Sequence, residues 1–254
     1  MKTLDGVWTV ERVGGVLPPM ARVRKRIRGS SGETLAGPVR MPFDVRGTEL
    51  RYRPPFVGLV DLLEPAGEDW EGRATWLGRE FGRFRLRRVS VTQELQSQLV
   101  KHIDEALAME QNVLRMLDSM IASTDDPEIK DQLREHKLET EKQADRMQRR
   151  LEAHGSSPSM VREGVGVMQA LMKGVLDATR TEKAGRNARD GYATEAMEIA
   201  SYQLLERIAV RAGDEETAQA ARESRAEEEA MARRIEANWD RVAELSLQEA
   251  GVPV

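Results

Sequence analysis

Six side chains in the rear two-thirds of the chain have the types and spacing to bind cations: Glu110, His136, Glu139, Glu195, Glu198 and Glu228. Each falls on or beside an apolar stripe when the sequence is laid out at about 100° per residue. Glu110 stands in the middle of Leu99, Ile103, Ala106, Val113, Leu114, Leu117 and Ile121. His136 shares a stripe with Ile129, Leu133, Thr140, Gln143, Met147 and Leu151, polar at its centre, with Glu139 on its shoulder. Glu195, Glu198 and Glu206 interrupt a segment that is apolar nearly all round (Met197, Ile199, Leu204, Leu205, Ile208, Val210). Glu228 sits among Ala221, Ala232, Ile235, Trp239 and Val242.

A carboxylate on an apolar stripe is carried towards a core, where an unpaired charge is costly. Two arrangements remove that cost. Metal ions can neutralise a cluster of acids. Alternatively Arg225, Arg189, Lys142 or Arg207 folds in and pairs with them. These residues leave both open. The ligand supply is narrow, because the chain has no cysteine and only three histidines, His102, His136 and His154. Disulfides, zinc-thiolate sites and thiol nucleophiles are excluded, and any metal site must be rich in carboxylates. His102 and His154 lie near predicted helix ends and are expected in solvent. His136 is central, either a satisfied core histidine or a ligand. Met109, Met116, Met147, Met168 and Met172 read as core filling. No phosphate-binding Gly-rich loop, nucleophile elbow or H-E-x-x-H occurs.

The elements that must position these acids are helices. Residues 89–249 contain only Pro127 and Pro158, each just after a candidate N-cap (Asp126, Ser157). Ser90-Val91-Thr92-Gln93 reads as a capping box opening helix 1, about Thr92 to Ala122. Helix 2 is expected from about Pro127 to His154, stopping at Gly155. A Gly-interrupted region, Ser159 to about Thr181, separates it from helix 3, about Lys183 to Ala212, closed by Gly213. Asp214 caps helix 4, about Glu215 to Leu247. Four long helices with short turns and one longer connection predict an antiparallel bundle with a crossover.

Residues 1–88 follow a different pattern. Trp8 and Val10 alternate with Thr9 and Glu11, and Leu50 and Tyr52 with Arg51 and Arg53. Phe84 and Leu86 alternate with Arg83, Arg85 and Arg87. Ala21, Val23 and Ile27 alternate with Arg22, Arg24, Arg26 and Arg28. Period-two alternation between frequent glycines and prolines predicts a small antiparallel barrel or half-barrel. Residues 1–88 hold 17 Lys and Arg against 11 Asp and Glu, a net of +6; residues 89–254 hold 22 against 32, a net of −10. That asymmetry supports two domains, 1–88 and 89–254. The arginine rows are either a solvated strand face, which is the preferred reading, or a surface for a polyanion such as nucleic acid. No stacking platform of aromatics accompanies them. No run approaches the ~18 apolar residues of a membrane span, and Met1 to Val10 lacks a secretory pattern. Together with the missing cysteines this leads us to expect a cytoplasmic protein without a membrane partner.

Four segments carry a family resemblance: His102–Met116 (HIDEALAMEQNVLRM), Glu135–Leu151 (EHKLETEKQADRMQRRL), Ala193–Gly213 (ATEAMEIASYQLLERIAVRAG) and Glu223–Trp239 (ESRAEEEAMARRIEANW). In this order they make residues 99–247 resemble the YciE/YciF-type ferritin-like proteins, a bacterial group linked to stress responses. Gly6-Val7-Trp8 resembles the G-x-W opening of lipocalin-like barrels. The first resemblance implies a ferritin-like four-helix bundle with two iron or manganese ions, and acids at Glu110, Glu139, Glu195, Glu198, Glu227 and Glu228. The implied chemistry is oxidation or peroxide handling, with Glu139 and Glu228 bridging and Glu110 and Glu195 terminal. Histidines of the family pattern are missing. Its E-T-x-x-H reads Glu139-Thr140-Glu141-Lys142-Gln143, its E-H-x-E reads Glu195-Ala196-Met197-Glu198, and an acid of helix 4 falls on Ala232. His136 alone retains its match. Fewer imidazoles weaken a site for iron or manganese, so the bundle could also hold no ion. The alternative function is therefore a non-catalytic scaffold that self-associates, with a ligand- or polyanion-binding β domain. In either case the expected partner is a second copy of the chain, a dimer through the bundle.

Overall fold

The computed structural model describes residues 3–158 and 183–253. The Gly-interrupted region predicted from Ser159 to Thr181, with Met168 and Met172, lies outside them. The chain divides into two compact units, Met1–Glu94 and Leu95–Val254.

The first unit is a closed antiparallel barrel of eight strands in sequence order. They are β1 Gly6–Gly15, β2 Arg24–Arg28, β3 Ser31–Ala36, β4 Val39–Arg46, β5 Glu49–Tyr52, β6 Leu59–Ala66, β7 Asp69–Trp76 and β8 Arg79–Arg88. Closure of β8 onto β1 pairs Val10 with Leu86 and leaves no free sheet edge. The alternation works as expected: Trp8, Val10, Leu50, Tyr52, Phe84 and Leu86 all fill the interior. One segment differs. β2 starts only at Arg24, because Val23 N–H bonds to Met20 O (3.1 Å) in a turn that holds Arg22 at φ 65°. Arg22 therefore does not share a strand with Arg24, Arg26 and Arg28.

Four outward arginines are paired across neighbouring strands. Arg53 meets Asp44 (2.5 Å), Arg85 meets Glu71 (2.9 Å), Arg87 meets Glu11 (2.9 Å) and Arg73 meets Glu64 (2.8 Å).

The barrel interior contains a group that the sequence reading passed over. Lys25 stands between Val23 and Ile27, so strand alternation turns it inward, where it is buried. Its Nζ donates to Asp61 Oδ2 (2.7 Å), Thr34 Oγ1 (2.8 Å) and Tyr52 Oη (2.5 Å). The rings of Phe43, Tyr52 and Phe84 surround it at 5.2–5.6 Å from their centroids, a cation–π setting. Burial would lower the Lys25 ammonium, but Asp61 and Tyr52 outweigh it and raise it. Burial likewise pushes the Tyr52 hydroxyl up to about 12.

The second unit is helical: α1 Val91–Ser123, which begins at the end of the first unit, α2 Pro127–Ala153, α3 Ala184–Ala212, α4 Glu215–Ala237 and α5 Trp239–Glu249. The caps are those expected. Ser90 Oγ accepts from Gln93 N–H (3.1 Å) while Gln93 Oε1 accepts from Ser90 N–H (3.1 Å), a reciprocal box. Asp126 accepts from the N–H groups of Glu128 and Ile129 ahead of Pro127. Gly213 ends α3 at φ 75°, a left-handed conformation open to glycine. The predicted single helix from Glu215 to Leu247 is broken at Asn238. There the Asn238 N–H bonds to Ile235 O, and its Nδ2 donates to Arg234 O (2.7 Å) and to Gln132 Oε1 (3.2 Å). Side-chain capping of the preceding turn competes with continuation of the helix. Trp239 consequently leaves the core stripe and is 38% exposed. Leu204 and Val210 also face outward, so α3 is not buried all round.

Asp214, the N-cap of α4, carries more than the cap bond from Thr217 N–H (3.0 Å). It pairs with Arg150 (3.0 Å) and with His154 Nε2 (2.7 Å), so His154 is a half-buried partner rather than a solvated histidine. Burial would raise the Asp214 carboxyl, but Thr217, His154 and Arg150 outweigh it and hold it at about 2. Asp214→Ala is expected to destabilise the bundle by about 1–2 kcal/mol at neutral pH, the range of a lost cap. A carboxyl depressed in the folded state stabilises above its ordinary value and loses that contribution as pH falls through its folded value. The gap between wild type and variant in denaturant unfolding should therefore shrink as pH falls from about 4 towards 2; a gap that persists unchanged would refute it.

Among the described residues no helix is long and apolar enough to cross a membrane.

Candidate metal centre

The helical core is divided. One apolar cluster includes Leu99, Ile103, Leu107, Met147, Leu151, Tyr202 and Leu205. Another comprises Val113, Met116, Leu117 and Met120. On α1, Glu110 falls between them, and on the other long helices His136, Glu195, Glu198 and Glu228 take comparable core-facing positions. Glu195 and Glu198 share one face of α3 because residues three apart are neighbours on a helix. All five residues are at most 2% exposed.

They converge as two groups that share one residue. His136, Glu195 and Glu228 form one, and Glu110, Glu198 and Glu228 the other; in each, one ligand atom per residue lies within 4.8 Å of the others. His136 Nε2 is 3.3 Å from Glu195 Oε1 and 4.0 Å from Glu228 Oε2. Glu110 Oε2, both His136 ring nitrogens, Glu195 Oε2, both Glu198 oxygens and both Glu228 oxygens have no hydrogen-bond partner. Buried polar atoms left unpaired are rare and costly. A set aimed at one another fits metal ions, since carboxylate oxygen and imidazole nitrogen suit iron and manganese.

The basic side chains that could neutralise these acids are engaged elsewhere or exposed. Arg225 pairs with Glu206 (2.6 Å) and Glu229 (3.4 Å). Arg189 pairs with its neighbour Asp190 (2.7 Å). Arg207 donates to Gln203 O (2.8 Å), and Lys142 is exposed. Among the described residues no Lys or Arg forms an ion pair with Glu110, Glu195, Glu198 or Glu228. Burial pushes the carboxyls of Glu110, Glu198 and Glu228 well above the usual range, and neighbouring carboxylates add to it. Burial would lower the His136 imidazolium, but Glu139, Glu195 and Glu228 outweigh it and raise it to about 10. Glu110, Glu198, Glu228 and His136 are thus all pushed towards their protonated forms, the forms that a bound cation would displace.

Other sequence candidates stand apart. Glu139 lies outside both groups: its Oε2 is 3.6 Å from His136 Nδ1 and its Oε1 3.7 Å from Arg234. Glu227 is drawn away by Arg146 (3.0 Å) and by Gln143 Nε2 (3.0 Å). Gln143, where the family pattern has an imidazole, is buried and leaves its Oε1 without a partner. Ala196 is exposed, so a histidine there would point away from the cluster.

Tyr202 was missed by the sequence reading. It is buried on α3, and its hydroxyl makes a short hydrogen bond to Glu110 Oε1. The available signal was its place four residues beyond Glu198, on the same face, combined with the need of a buried phenol for a polar partner.

A crystal structure of a protein from Xanthomonas campestris pv. campestris superposes with a TM-score of 0.52 at 25% identity, covering 62% of this chain and 99% of that one. The E. coli stress protein YciF gives a TM-score of 0.51 at 18% identity, covering 59% of this chain and 96% of that one. The bacterioferritin of Desulfovibrio desulfuricans, described with a diiron site, gives 0.50 at 15% identity, with 62% and 92% covered. The last two show a shared ferritin-like fold. Residues 94–248 match the family model described as a domain of unknown function (DUF892), and the chain belongs to that family, of the YciE/YciF ferritin-like type.

Proposed function

We propose that the bundle is a carboxylate-rich two-metal centre for iron or manganese, in a protein of stress-response type. The observation that carries this reading is the convergence of unpaired, buried ligand atoms from four helices on a shared Glu228. His136 and Glu195 would hold one ion, Glu110 and Glu198 the other, and Glu228 would bridge them. Such ions would supply oxidation or peroxide turnover. The chain's own groups orient the ligands. Tyr202 donates to Glu110 and fixes its rotamer. Glu139, steadied by Arg234, faces His136 Nδ1 and leaves Nε2 for the cluster, the usual outer-shell arrangement of a ligating histidine. The exposed Leu138, Leu204 and Val210 offer apolar surface for a second copy of the chain, and the two units are read as separate domains, 1–88 and 89–254.

Elemental analysis of protein purified without chelator tests the reading. Wild type should carry about two transition-metal ions per chain. Glu110→Ala should lose one, and Glu228→Ala, which removes the shared ligand, should lose both while keeping its helical circular dichroism. Wild type with no more than trace metal, even after incubation with Fe(II) or Mn(II), would overturn it.

A further inference from the structure

A cavity of about 390 Å³ runs from one end of the bundle to the acid cluster. Its walls are Met116, Leu117 and Met120 of α1, Leu133 of α2, and Met231 and Ile235 of α4. Its inner end is formed by His136 and Glu195, so it opens on one of the two ligand groups. Its other end is polar, where Thr124, Asp126 and Asn187 stand near helix termini. Asp126 there is held by its cap bonds and by Arg241 (2.9 Å). Along α2, the nine steps from Pro127 to His136 rise about 14 Å of axis.

Two features point to a ligand rather than a packing gap. The first is His136, almost fully buried at the cavity's inner end, whose ring nitrogens make no hydrogen bond and have only carboxylate oxygens near them, at 3.3–4.0 Å. The second is Gly191 of α3, which also lines the cavity, one helical turn before Glu195. Glycine is the least favourable helix residue after proline. A Cβ at Gly191 would meet only Ile235 Cδ1, at 3.6 Å, an ordinary contact. The backbone there does not require glycine, and the missing side chain leaves space open one turn from Glu195.

The volume decides the class of molecule. One water takes about 30 Å³ of liquid, so hydrogen peroxide needs only a small part of this cavity. A volume of this size falls at the low end of small-molecule sites, roughly 300–1,000 Å³. Between its two polar ends the cavity is walled by apolar side chains, and the inner, buried end is the metal-ligand cluster. We propose that the cavity takes a medium-chain alkyl compound with one oxygen-bearing head group, its tail between the helices and its head at His136 and Glu195. The seat for the tail stands on the cavity alone; the role of the head rests on the two-metal reading.

The two parts are tested separately, with the full-length protein and two probes, 1-decanol and decanoate, by titration calorimetry. Decanol is neutral and should bind chelator-treated wild type saturably, at one per chain. Gly191→Leu fills the cavity beside Glu195 and should weaken decanol binding at least tenfold while melting at or above the wild-type temperature. If that variant does not fold, Leu133→Phe fills the same space from α2. Decanoate brings a negative head to a cluster of acids, so it should bind at least tenfold more tightly to manganese-loaded protein than to chelator-treated protein. Absence of saturable decanol binding, or equal binding by wild type and a folded cavity-filling variant, overturns the cavity assignment whether or not metal is bound. Decanol binding in a protein that takes up no metal, or decanoate affinity unchanged by loading, overturns the role of the head group and leaves the tail site standing.

Discussion

The metal-free bundle is expected to lose stability as pH rises from about 5 to 9, and metal loading to reverse that trend. Glu110 is pushed up to about 8 and Glu228 to about 10, from an ordinary value of 4.5. Unfolding exposes these carboxyls, which then release protons that the folded chain keeps. Stability from a raised group is complete below its unfolded value and is lost as pH rises through the folded one. His136 adds in the same direction, with an unfolded value of 6.5 and a folded one of about 10. Each proton held only by the folded chain removes about 1.4 kcal/mol of stability per pH unit. The three groups interact, so their protons leave as a set rather than one by one. A net loss of about 3 kcal/mol between pH 6 and pH 8 corresponds to one such proton. Metal ions require the deprotonated ligands, so their affinity rises with pH. At free metal about a thousand times the dissociation constant, loading adds about 4 kcal/mol. Urea unfolding followed by far-ultraviolet circular dichroism at pH 6, 7, 8 and 9, with chelator or with Mn(II), reads both effects. A metal-free protein whose stability is flat or rises over that range would contradict the buried, protonated cluster.

Lys25→Met is expected to cost the barrel about 3–5 kcal/mol. The methionine matches the aliphatic stem in volume, so packing among Phe43, Tyr52 and Phe84 is largely kept. What is lost is the ammonium, and Asp61 is then left as a buried carboxylate with Tyr52 Oη (2.9 Å) as its remaining side-chain donor. The penalty belongs to that uncompensated charge more than to the vanished bond. Lys25→Met/Asp61→Asn removes the charge and should recover more than half of the loss. The single and double variants together give the coupling between the two positions. Trp8 and Trp70 are buried in the same interior, so tryptophan fluorescence during urea unfolding, measured in a Trp239→Phe background that removes the tryptophan of the helical unit, follows this unit. A Lys25→Met variant within about 0.5 kcal/mol of wild type, the scatter of ordinary surface changes, would mean that the pair is not what holds the interior together.

The sequence by itself determined the elements and their faces. Ser90 with Gln93, Asp126 before Pro127, and Gly213 with Asp214 set the ends of four helices, because capping is chemistry between residues a few positions apart. Alternation placed Trp8, Val10, Leu50, Tyr52, Phe84 and Leu86 inside the barrel, since neighbouring side chains on a strand point to opposite faces. The same reasoning would have turned Lys25 inward. It put Glu110, His136, Glu195, Glu198 and Glu228 on buried stripes, and burial bears this out. Only the tertiary structure decided which of these acids meet. Periodicity fixes the face of one helix, but not the depth or rotation at which another helix is laid against it. Glu139 and Glu198 were equal candidates by spacing; packing set Glu198 in the cluster and left Glu139 beside His136 near Arg234. Tyr202 meets Glu110 across 92 residues of sequence, and the break at Asn238 reflects a bond to Gln132 on another helix. The cavity at Gly191 likewise exists only between helices. Local interactions are set by residues close in the chain, whereas a site assembled from four helices depends on how their side chains interlock.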